Sequence, residues 1–106
     1  KKKMGFYEGY NFFREEGGKI IIEELPVEGM NYGLFIEINS ASSLEEQVKT
    51  FIHEILHLTP KYEKFEGLYM LSDQEKEIKR DMEIIYQNQP RLIEYLKKKI
   101  RQINQT

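Results

Sequence analysis

The chain contains two histidines, four residues apart, in His53-Glu54-Ile55-Leu56-His57. On a helix, positions i and i+4 lie one above the other on the same face. His53 and His57 can therefore aim two imidazole nitrogens at a single point, a two-toothed clamp for a transition metal. Glu54 follows the first histidine, so its carboxylate can reach a water at that point without being a ligand. A metal-dependent hydrolase needs this division of labour, with Glu54 as the general base and acid.

Two histidines do not hold a catalytic zinc ion alone. A third protein ligand is usual, with the fourth position left to water. The chain has no cysteine and no further histidine, so the third ligand must be Asp or Glu. The leading candidate is Glu77, with Asp81 one helical turn on and placed to accept the free ring N–H of a histidine ligand. Glu75 is the rival, with a helix-capping role that competes. Pro60 stands near where an extended His-Glu-x-x-His-x-x-Gly-x-x-His signature needs a glycine turn, which excludes the metzincin arrangement.

The elements that must position these residues are legible in the patterning, which predicts an α+β chain. The helix bearing the motif is expected over residues 44–58. Ser43-Leu44-Glu45-Glu46 reads as a capping box, and Leu44, Val48, Phe51, Ile55 and Leu58 form its apolar stripe. Ser72-Asp73-Gln74-Glu75 reads as a second capping box opening a glutamate helix over 73–88, with Ile78, Met82 and Ile85 facing the core. Pro90 suits the first position of a last helix over 90–103, buried through Leu92, Leu96, Ile100 and Ile103. The first part, residues 6–39, is expected to be a small, about three-stranded, mainly antiparallel sheet. Its first two strands flank a hairpin turn at Glu15-Glu16-Gly17-Gly18, although residues 4–16 also suit a short helix. The run from Tyr32 to Asn39 supplies the third strand.

With 106 residues, one domain with one modest core is expected. A net charge of −2 argues against nucleic acid as the main partner, and the lysine runs at 1–3 and 97–99 read as solvated faces. No apolar run approaches a membrane span. The basic start leads into Gly5-Phe6-Tyr7-Glu8 and not an apolar segment, so no secretory signal is expected and a cytoplasmic location is the default. Richness in Lys, Glu and Ile without Cys or Trp resembles thermophile composition.

At this point the sequence resembles the gluzincin metallopeptidases, the thermolysin-like zincins. The resemblance rests on His53-Glu54-Ile55-Leu56-His57 and on Glu77-Ile78-Lys79-Arg80-Asp81, which matches that family's Glu-x-x-x-Asp. Its short length makes it most similar to the minigluzincins, archaeal single-domain peptidases of the abylysin and jannalysin type. The resemblance implies one zinc ion, hydrolysis of peptide bonds in a peptide or protein substrate, and a substrate lying antiparallel to an edge strand near 30–35 or 35–39. It also implies latency, as in a zymogen, with self-association or a terminal segment closing the cleft: residues 101–106, or those before Tyr7. The chain lacks a histidine for oxyanion support, and Tyr69 and Tyr86 are the candidate substitutes. The alternative from another class is a non-catalytic zinc-binding interaction module.

Overall fold

The structure is a computed structural model that describes residues 4–25, 29–32, 34–59 and 71–104. Its elements run α1 (Met4–Glu15), β1 (Lys19–Glu23), β2 (Gly29–Tyr32), β3 (Phe35–Asn39), α2 (Leu44–His57), α3 (Leu71–Asn88) and α4 (Pro90–Asn104). The α+β class holds, while the arrangement of the first part differs from the expected one.

Residues 4–15 form a helix and not a strand. Phe6, Tyr10 and Phe13 recur at i, i+4 and i+7, a helical period, and all three are buried in the core. Their rings meet α2: Tyr10 and Phe13 each pack edge-on against Phe51. The Gly17-Gly18 pair then ends the helix instead of turning a hairpin. Gly18 N–H donates to the Phe13 carbonyl at 2.7 Å and Gly17 N–H to that of Arg14 at 3.2 Å. This is the double bond pattern of a Schellman cap, and Gly17 takes the left-handed conformation it requires, at φ 77°.

The sheet has three strands in the order β1-β3-β2. It is mixed and not mainly antiparallel: β1 runs parallel to β3, from Lys19↔Phe35 to Glu23↔Asn39, and β2 runs antiparallel to it. The stretch read as one strand from Tyr32 is two, because Tyr32 belongs to β2 and pairs with Phe35 of β3. β3 is the central strand. Ile36 and Ile38 are fully buried and pack with Ile20 and Ile22 against the helices. At the end of the sheet the Asn39 amide clasps Leu25, donating to its carbonyl at 3.1 Å and accepting from its N–H at 3.3 Å. Pro26, which the sequence places as the end of β1 because proline cannot donate to a ladder, lies outside the described residues.

Helix α2 is the hub of the fold and packs against α1, α3, α4, β2 and β3. Val48, Phe51, Ile52, Ile55 and Leu56 are at most 1% exposed, so the helix is gripped over more than one face. Burial of five such side chains contributes roughly 1.5–3 kcal/mol each before conformational entropy is set against it. The N-cap is as expected: Ser43 Oγ accepts from Glu46 N–H at 3.1 Å. Helix α3 begins at Leu71, so Ser72 is a residue of the first turn and not the N-cap. Helix α4 buries Leu92, Ile93, Leu96 and Ile100. Among the described residues no helix is long and apolar enough to cross a membrane.

Candidate metal centre

Helix α2 brings His53 and His57 together as their spacing requires, with ring centroids 4.9 Å apart. Both rings lie at the α2–α3 boundary, with about a quarter of each side chain or less exposed. The third group meeting them is Glu75, in the second turn of α3. Its Oε1 stands 2.9 Å from His53 Nε2 and its Oε2 2.8 Å from His57 Nε2. One ligand atom from each of these residues falls within 4.8 Å of the others, an arrangement that could hold a metal ion.

Glu77 is not part of this group. Its carboxylate accepts from Arg80 Nη2 at 2.8 Å. The reason is helical geometry: residues two apart point to nearly opposite sides, so Glu75 and Glu77 cannot both face α2. The stripe that packs α3 on the core runs through Ile78, Met82 and Ile85. Extending it by three residues toward the N-terminus arrives at Glu75, a signal the sequence carries. The second capping box competes with that signal, because it places Glu75 at a helix start, whereas α3 begins upstream at Leu71.

Asp81 is near Arg80, 3.9 Å from its Nε. Both ring nitrogens of His53 meet other acids, Nε2 at Glu75 and Nδ1 at Glu54 Oε2, 3.3 Å away. At His53 the acids that meet the ring nitrogens are thus Glu54 and Glu75. Tyr86 stands eleven residues beyond Glu75 on the same helix, about 16 Å along its axis, with Lys49 Nζ 4.9 Å from its ring. Tyr69 lies outside the described residues.

The charges of the group are coupled. Burial works against a charged His53, but the hydrogen bonds and negative charges of Glu54 and Glu75 outweigh it and raise the imidazole pKa above its ordinary value. Burial alone would raise Glu75. The hydrogen bond and charge of His53, then those of His57, outweigh it and hold the carboxyl below its usual range. Glu54 is 7% exposed, and its carboxylate is buried beside the first histidine.

A cavity of about 460 Å³ opens beside the group, lined by His53, Glu54 and Glu75 and flanked by Lys49, Lys79 and Glu83. Gly29 of β2 also lines it, so the sheet edge next to the cleft is β2. The 35–39 segment expected as a possible edge is the central strand. Neither described chain end reaches the cleft. Phe6 is in the core, and residues 101–104 complete α4, where Asn104 Nδ2 donates to Gln47 Oε1 at 3.3 Å near the start of α2.

No family model, no curated protein and no solved structure matches this chain. What fold and site together define is an α+β chain whose two-histidine, one-glutamate group could hold a metal ion.

Proposed function

We propose that the chain is a zinc-dependent metallopeptidase of gluzincin type, with His53, His57 and Glu75 as the protein ligands and Glu54 as the general base and acid. The observation that carries this reading is the convergence of both histidine Nε2 atoms on the two oxygens of one carboxylate, beside a cavity that Glu54 also lines. The donor set suits zinc: imidazole nitrogen and carboxylate oxygen are its usual ligands where cysteine is lacking. Ligands about 2.0–2.2 Å from a tetrahedral ion stand roughly 3.3 Å from each other. One ligand atom from each of His53, His57 and Glu75 lies within 4.8 Å of the others, so side-chain adjustment of up to about 1.5 Å brings them to that spacing.

A zinc ion held there supplies Lewis acidity, lowering the pKa of water toward neutrality and polarising a carbonyl. Glu54 then takes the proton of the attacking water and delivers it to the departing amine. The flanking cavity accommodates the substrate chain, with β2 as the adjacent strand edge.

The test is the Glu54→Gln variant, loaded with zinc and incubated with a mixture of denatured proteins. It is expected to keep its zinc and lose cleavage by about 10²–10⁴-fold. Cleavage at the wild-type rate would contradict the role of Glu54. One bound zinc with every substrate left intact by the wild type would favour the non-catalytic module.

A further inference from the structure

Strand β1 is the other edge of the sheet, and its sequence is Lys19-Ile20-Ile21-Ile22-Glu23. Lys19 N–H donates to the Leu34 carbonyl and the Glu23 carbonyl accepts from Ser40 N–H, so residues 19, 21 and 23 direct their backbone groups to β3. The N–H and C=O groups of Ile20 and Ile22 therefore face the opposite way, where no described strand pairs with them. An apolar edge of this kind is a template for another strand. Its extent is set on both sides, since Gly18 N–H is held in the cap of α1 and Leu25 is clasped by Asn39.

We infer that this chain self-associates through antiparallel pairing of β1 with β1 of a second copy, in the register centred on Ile21. The inference is independent of the metal site. The strand is self-complementary in that register. Ile20 faces Ile22 of the second copy as a hydrogen-bonded pair, so the outward N–H and C=O of both residues find partners on each side. Lys19 faces Glu23 of the second copy, and Glu23 faces its Lys19, on the same face as the Ile21–Ile21 contact. These are non-hydrogen-bonded positions, where Cα atoms approach to about 4.5 Å and side chains interact most closely. Both charged residues are exposed. Moving the register by two residues toward the N-terminus sets Lys19 against Ile21 and Ile22 against Gly18, whose N–H is already bonded. The opposite shift sets Ile21 against Glu23. Only the central register pairs both charges and all the outward backbone groups, and it extends the sheet continuously across the two copies.

The experiment is sedimentation velocity on the full chain from about 10 µM to 1 mM, the range in which a small strand-edge interface associates. The wild type is expected to show a concentration-dependent shift from monomer to dimer. Lys19→Glu places Glu against Glu, and Glu23→Lys places Lys against Lys. Each alone is expected to weaken the dimer at least about tenfold. A one-to-one mixture of the two variants restores both ion pairs and is expected to dimerise as well as the wild type. Circular dichroism checks that each variant keeps its fold. A wild type that stays monomeric throughout overturns the inference. So do single variants that dimerise undiminished, or a mixture that behaves as its components do alone.

Discussion

Glu75 of α3 and His57 of α2 are 2.8 Å apart, closing a contact between two helices joined by a long connection. His57 is in the last turn of its helix. The contact therefore ties α3 to the site and holds a carboxylate at the point to which the histidines aim. Any metal ion bound there inherits both functions.

The pH dependence of stability follows from the coupled charges. His53, with its pKa raised by folding, contributes stability that is fully present below its unfolded value of about 6.5 and is lost as pH rises through the folded one. Glu75, with its pKa lowered, contributes stability that is present above its unfolded value of about 4.3 and is lost as pH falls through the folded one. Both contributions overlap between roughly pH 4.3 and 6.5. Zinc requires neutral imidazole, so its stabilising effect runs the other way and increases with pH. Thermal melts of chelator-treated protein should show the contribution of this contact greatest in the mildly acidic range. The rise in melting temperature on adding zinc should grow from pH 5 to pH 8.

The end of α2 depends on a close approach by α1. A Cβ at Gly9 would stand 2.7 Å from the Ile55 carbonyl oxygen and would also run into Thr59 Oγ1. Thr59 Oγ1 in turn donates to that same carbonyl at 3.2 Å. Gly9→Ala should therefore cost about 1–3 kcal/mol in urea denaturation. Because Ile55 and Thr59 flank His57, zinc affinity should fall as well.

Loss of the N-cap should act on stability without touching the site. Ser43→Ala removes the acceptor for Glu46 N–H and should cost about 1 kcal/mol. His53 lies ten residues on, about 15 Å along the helix. Zinc affinity measured by competition with a chelating dye should stay within about twofold of wild type.

The legible parts of the fold were those where a local pattern and the tertiary structure agree. The stripe from Val48 to Ile55 and the cap at Ser43 specify α2 without reference to anything distant. Helix α1 was harder to see, because its aromatic residues favour strands and Gly17-Gly18 suits both a hairpin and a Schellman cap. The 4-then-3 spacing of Phe6, Tyr10 and Phe13 is the helical signal that these propensities obscure. Strand β2 has the composition of a turn, and it is a strand because β3 pairs with it, from Tyr32↔Phe35 to Gly29↔Ile38. At the site, the histidine pair was evident from spacing alone. The choice between Glu75 and Glu77 depended on where α3 starts and which side of it meets α2, and a misplaced cap at Ser72 was enough to reverse it.

The proposed metal centre requires His53, His57 and Glu75 to hold one metal ion, and zinc titration of three proteins tests this most directly. The wild type and Glu77→Ala should each bind one zinc with similar affinity, whereas Glu75→Ala should bind more weakly by at least about 100-fold. Undiminished zinc binding by Glu75→Ala, with the loss appearing in Glu77→Ala instead, would contradict it.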